Sequence, residues 1–144
     1  MTKQIILIDF DGTCVTHDFP HIGKDIGAVP VLKELSAKGH KLVLFTMRCD
    51  HEEDFIPNND PGDVGPGKYL TAAVNWFKEH DIPLYGINTN PQQKEWTSSP
   101  KAYGNYMIDD TALGCPLKFD PTLSDKLFVD WNEIKLLLQI EKLI

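Results

Sequence analysis

Two aspartates two positions apart, Asp9 and Asp11, stand directly behind the apolar run Ile5–Ile8 and ahead of Gly12 and Thr13. A D-x-D spacing puts both carboxylates on the same side of an extended chain, and a bend at Gly12 releases the second for a separate role. One carboxylate of such a pair can attack an electrophile while the other moves protons. A second acidic pair, Asp109-Asp110, closes the stretch GNYMIDD, and the hydroxyl of Thr46 closes HKLVLFT. Lys101 stands before the GNYMID stretch, with Lys94 as a competing cation. Carboxylates gathered on one rim repel each other unless a cation sits among them or one keeps its proton. Aspartate oxygens suit a hard ion such as Mg²⁺, which keeps several waters and pairs with substrate phosphate.

The elements that must position these residues follow from the apolar pattern. Residues 3–10 and 40–46 read as strands buried on both faces, residues 84–88 as a short third strand and residues 104–109 as a fourth. Between them, residues 28–38 carry Val31, Leu32 and Leu35 at helical spacing, with Gly39 as the stop. Residues 68–81 carry Leu70, Val74 and Phe77 on one face, with Ala73 and Trp76 beside them. A last helix over 131–144 begins at the capping pair Asp130 and Glu133 and presents Ile134, Leu137 and Leu138 to the sheet. Trp76, Phe77 and Trp131 read as core. Strands alternating with helices predict an α/β fold: a doubly wound, Rossmann-like parallel sheet with right-handed crossovers and helices on both faces. Such sheets carry their sites outside the carboxyl ends of the strands. Asp9 and Asp11, Thr46, and Asp109 and Asp110 then share one rim.

In this order and context the residues resemble the haloacid dehalogenase-like superfamily of phosphotransferases. IILIDFDGT is similar to its first motif, Thr46 to its second, Lys101 in SPKAYGNYMIDD to its third and Asp109-Asp110 to its fourth. His17, Pro20, Ile22 and Gly23 are similar to the H-x-x-P-x-I-G stretch of small uncapped bacterial members. The resemblance implies a Mg²⁺-dependent phosphatase in which Asp9 becomes an aspartyl-phosphate. Asp11 would protonate the leaving group and then activate water. It implies phosphate or substrate contacts from Gly12, Thr13, Thr46, Met47, Arg48 and Lys101. Mg²⁺ would be held by Asp9, the Asp11 carbonyl and Asp109, with Asp110 bound directly or through water. It implies one catalytic domain over residues 1–144 without a separate cap, interrupted by a loop insertion at about 49–67. An open site of this kind suits bulky substrates or a rim completed by a partner subunit, such as a second copy in a homo-oligomer.

Several residues admit a plainer reading. Thr46 could cap the following turn, Arg48 could pair with a carboxylate instead of touching substrate, and His17 reads more simply as packed or solvent-facing than as part of the site. The run Cys49-Asp50-His51-Glu52-Glu53-Asp54 lacks a second histidine at ligand spacing and reads as a solvated face. Residues 49–67, rich in proline and glycine and rooted next to Thr46, suggest either a substrate-selecting lid or a passive insertion.

Composition sets the outer bounds. Of 144 residues, 14 are Lys or Arg and 21 Asp or Glu, and the net charge of -7 disfavours bare nucleic acid as a client. Three widely spaced cysteines, with no C-x-x-C pair, suggest reduced thiols in a cytoplasmic protein. No apolar run is long enough for a signal peptide or membrane span. Two alternatives to a phosphatase stand beside it: a catalytically silent binding domain on the same fold, and a receiver-like phospho-acceptor domain. The first has no missing residue to point to, and in the second the phosphorylated aspartate would come later in the chain.

Overall fold

The computed structural model describes residues 2–52 and 64–144. It is a mixed α/β structure whose central sheet has four parallel strands, β1 (Ile5–Ile8), β2 (Lys41–Leu44), β5 (Gly86–Ile87) and β6 (Tyr106–Ile108), in the order β5-β2-β1-β6. Two short antiparallel pairs lie outside it: β3 (Asp50–His51) with β4 (Gly67–Lys68), and β7 (Leu117–Lys118) with β8 (Phe128–Val129). The three helices are α1 (Ala28–Ala37), α2 (Tyr69–Glu79) and α3 (Trp131–Ile140).

Register is set by alternation. Ile6 pairs with Leu42 and Ile8 with Leu44 on one face, while Leu7 and Val43 point to the other. The first face is the main core. Val31, Leu32 and Leu35 from α1, Ala73, Trp76 and Phe77 from α2, and Trp131, Ile134 and Leu138 from α3 all join Ile6, Ile8, Leu42 and Leu44. Among the described residues Leu7 and Val43 cluster with the buried Ala102, with Ile5, Phe45 and Tyr85 partly buried around them.

The three α-helices all contribute to the main core. The chain returns from β5 to β6 through residues 88–105, whose one helical element is the 3₁₀ turn Gln93–Glu95. The reason lies in Asn90, Pro91 and the polar run that follows, which offer no apolar stripe. Buried polar side chains hold the segment instead. The Gln93 amide donates to the carbonyls of Ser99 and Lys101 and accepts from the Tyr103 N–H, and the Asn90 amide donates to the Tyr103 carbonyl.

Local signals end the helices. Gly39 takes φ 86° just past α1 and its N–H donates to the Ser36 carbonyl. Asp130 caps α3 by accepting from the N–H groups of Asn132 and Glu133, and the helix stops at Ile140, short of the chain end. At α2 the first turn has no cap of its own, and Asp50 supplies one from β3, accepting from both the N–H and the hydroxyl of Thr71. Those two bonds hold the exposed Asp50 carboxyl below its ordinary value. Among the described residues no helix is long and apolar enough to cross a membrane. Cys14, Cys49 and Cys115 are free thiols.

Candidate functional site

The parallel ladder runs one residue past each strand. Asp9 N–H donates to the Ile108 carbonyl, Phe45 N–H to Ile8 and Asn88 N–H to Leu44, at 3.0, 2.7 and 2.7 Å. Four strand ends are thus aligned, and the side chains just beyond them share a rim. The chain steps outward from β1 to β2 to β5 and then returns to the other side of β1 as β6. Asp9 and Asp109 therefore flank the switch point of the sheet, where α/β sheets open a crevice.

There the acidic residues meet. One ligand oxygen each from Asp9, Asp109 and Asp110 lies within 4.8 Å of the others. Thr13, fully buried, ties two of them: its hydroxyl donates to Asp9 Oδ2 at 2.7 Å, sits 3.3 Å from Asp110 Oδ1, and accepts the Asp110 N–H at 3.0 Å. His17 Nε2 lies 2.8 Å from Asp110 Oδ2. Gly12, at φ 77°, turns the chain tightly enough that a Cβ there would collide with the His17 ring and the Asp110 carboxylate. The Asp109 carboxylate is engaged by the N–H and hydroxyl of Thr111, both at 2.8 Å.

Burial dominates the electrostatics. It pushes the Asp9 carboxyl up to about 8, aided by the hydrogen bond with Asp110 and the charge of Asp109, and opposed by the Thr13 hydroxyl and the Phe10 N–H. The buried Cys14 thiol is pushed up too, by desolvation and then by Asp9 and Asp11. Among the described residues no lysine or arginine forms an ion pair with Asp9 or Asp109. An all-carboxylate donor set of this spacing, short of compensating charge, fits a hard divalent cation.

Asp11 stands apart from the cluster. Its carboxylate is taken in bidentate fashion by Arg48, Nε to Oδ2 and Nη2 to Oδ1, both at 2.8 Å. Arg48 is 3% exposed, and of the two readings open from sequence its pairing with a carboxylate is present in the structure. Thr46 sits on the rim, half-buried. Its N–H donates to the Asn88 side chain, and its hydroxyl accepts the Arg48 N–H at 3.1 Å, so the capping reading of Thr46 holds in this arrangement. Met47 is almost wholly exposed.

Neither lysine is brought to the acids. Lys101 is exposed and lines a cavity of about 510 Å³ with Leu7, Gln93, Gly104 and Met107. Lys94 lines a smaller one of about 230 Å³ that includes Asn88. Among the described residues no hydrogen bond or ion pair connects either ammonium to the cluster. Of the 49–67 insertion, residues 53–63, with Glu53 and Asp54, lie outside the described residues. The rest of the acidic run does not form a metal cluster: Asp50 caps α2, and the His51 ring packs edge-on against Tyr69.

Two rim residues were missed or set low in the sequence. His17 turns inward to Asp110, a contact made possible by the tight turn at Gly12. Asn88 follows β5 as Asp9 follows β1, so the strand-end rule that selected Thr46 also points to it.

No family model and no curated protein matches the chain. A solved structure is similar to it, a conserved protein from Bacteroides thetaiotaomicron, at 26% identity and a TM-score of 0.69 over 97% of this chain and 93% of that one.

Proposed function

We propose that this chain is a Mg²⁺-dependent phosphomonoester hydrolase of the haloacid dehalogenase-like type, working through an aspartyl-phosphate on Asp9. The observation that carries the reading is the convergence of Asp9, Asp109 and Asp110 at the switch point, joined by the Thr13 hydroxyl. A half-buried strand-end carboxylate beside two more carboxylates is costly for a fold and gains its use when a cation and a phosphate arrive. The return of the chain from β5 to β6 on the other side of β1 is compatible with a doubly wound domain whose crossover helix is reduced to a turn. The 49–67 insertion stands where a cap would be inserted.

Asp9, Asp109 and Asp110 would hold the ion, which supplies charge neutralisation for the transferring phosphoryl group. In the first step an Asp9 oxygen bonds to phosphorus while the bond from phosphorus to the leaving oxygen breaks. That oxygen keeps the electron pair and takes a proton from Asp11. In the second, water attacks phosphorus and gives a proton to Asp11, and the bond to Asp9 breaks with its electrons returning to the carboxylate. Inorganic phosphate leaves and both aspartates are restored. Thr46 and neighbouring N–H groups orient the phosphoryl oxygens once substrate is bound, and Lys101, exposed beside a separate cavity, would turn toward the rim to join them. Lys94 is the competing lysine.

Phosphate release from p-nitrophenyl phosphate tests the proposal. Activity should require Mg²⁺, disappear with a chelator and fall at least about a thousandfold in Asp9→Asn. Turnover that survives Asp9→Asn would remove the nucleophile. Lys101→Met should raise KM and lower kcat by roughly a hundredfold. The same loss in Lys94→Met, with Lys101→Met unaffected, would reassign that role.

A further inference from the structure

The guanidinium of Arg48 has five N–H donors, and each has an acceptor. Two go to the Asp11 carboxylate. Nη2 also donates to the His21 carbonyl at 2.6 Å, and Nη1 to the carbonyls of Pro20 and Tyr69 at 3.4 and 3.1 Å. The rings of Phe10 and Phe19 lie 5.0 and 5.1 Å from its Cζ. One side chain thus joins the turn after β1, the segment leading to α1, and the first residue of α2. Its own N–H is bonded to Thr46.

We propose that Arg48 is the positioning residue for Asp11, holding its carboxyl group in the plane of the guanidinium, ionised as the base and protonated as the acid, so that one edge stays free for the attacking water and the leaving oxygen. The proposal rests on the hydrolase reading, in which Asp11 is the proton carrier. Two features carry it. The fork occupies one lone pair on each Asp11 oxygen and leaves the others open. The Asp11 side chain is 18% exposed while that of Arg48 is 1% exposed, so the carboxylate is reachable from the rim and its holder is not. A carboxylate on a turn would otherwise sample several rotamers, and a misplacement of about 1 Å costs on the order of a hundredfold in rate. Arg48 touches no substrate. Its effect on catalysis passes through Asp11.

Lysine cannot reproduce a five-donor fork, so Arg48→Lys should leave Asp11 loosely held while keeping the charge. Steady-state kinetics with Mg²⁺ are measured on a series of aryl phosphates whose leaving phenols extend up to the ordinary phenol pKa of about 10. Proton donation matters most for the poorest leaving group. Arg48→Lys should therefore lower kcat by roughly ten- to a hundredfold on phenyl phosphate, by much less on nitro-substituted esters, and change KM by no more than about twofold. Asp11→Asn should show the same steepened dependence, and the double variant should be no slower than Asp11→Asn by more than roughly twofold. A uniform fall across the series, a raised KM at unchanged kcat, or penalties that multiply in the double variant would overturn the proposal. Circular dichroism checks folding. If Arg48→Lys does not fold, Phe19→Ala, which loosens the half-exposed side of the sandwich, should give a milder steepening of the same kind, and its absence counts against the proposal. A wild-type chain that releases no phosphate, or an Asp11→Asn variant with the wild-type dependence, overturns the hydrolase reading and this proposal with it. A steepened Asp11→Asn beside an unsteepened Arg48→Lys overturns this proposal alone.

Discussion

Thr13 shows how much of the site depends on one hydroxyl. It has a single proton to give and two carboxylates to satisfy, and it is also the acceptor for the Asp110 N–H. Thr13→Val keeps the volume and removes all three interactions, leaving a buried N–H without an acceptor and Asp9 without its donor. The expected loss is about 2 kcal/mol, or roughly 6 °C in Tm, read by calorimetry on the metal-free protein. A Tm within about 1 °C of wild type would mean that water replaces the hydroxyl easily. At this scale the sequence was half legible. D-x-D-G-T behind a buried strand pointed to the carboxylates because a strand-end Thr, a Lys and a strand-end D-D follow it in order. It did not announce which partner each would take. Asp9 and Asp11 lie two residues apart, yet one meets Asp109 and Asp110 and the other Arg48, because Gly12 reverses the chain and Arg48 arrives from β2. Side-chain pairing across 37 residues is decided by tertiary packing, which no local pattern records.

The elements were legible where their own residues decide them. The caps of α1 and α3 and the cores of β1, β2 and α2 follow from spacing alone. Failure came where a distant residue does the work. The cap of α2 is Asp50, 21 positions before its bonded partner Thr71, in a run that reads as solvated charge. Between β5 and β6 the described residues hold a 3₁₀ turn rather than an α-helix, and Gln93 and Asn90 organise the loop around it. Asp130 and Asp50 thus offer a matched comparison of a local and a borrowed cap. Asp130→Ala should cost about 1 kcal/mol, or roughly 3 °C, measured as a shift in Tm. Asp50→Ala should cost a similar amount. It should also increase amide hydrogen exchange in the first turn of α2, next to the Tyr69 carbonyl that receives Arg48. Unchanged exchange in that turn would show that Asp50 contributes no cap.

At the scale of the whole molecule the acid cluster is a liability that the chain carries against its own stability. Its net charge is -7, and three of the carboxylates behind that charge are gathered together where burial raises one of them. The Asp9 carboxyl keeps its proton up to about 8 in the folded chain and only to about 3.8 when unfolded. Between those values the folded chain holds a proton that the unfolded chain has released. The stability contributed by this group is therefore complete below the lower value, falls as pH rises through the window, and is lost above about 8. A divalent cation competes with that proton, so its stabilisation grows with pH in the same window. Without metal, Tm should fall as pH is raised from about 5 to 8.5. Mg²⁺ at a hundredfold excess over its Kd should restore about 2.7 kcal/mol at the upper pH and much less at the lower. Asp9→Asn removes the titrating group and a ligand together. Its metal-free Tm should exceed that of wild type at high pH and converge with it near pH 5, while the Mg²⁺ shift shrinks. A Mg²⁺ shift that is the same at both pH values, or undiminished in Asp9→Asn, would place the ion elsewhere and separate the cluster from any metal chemistry.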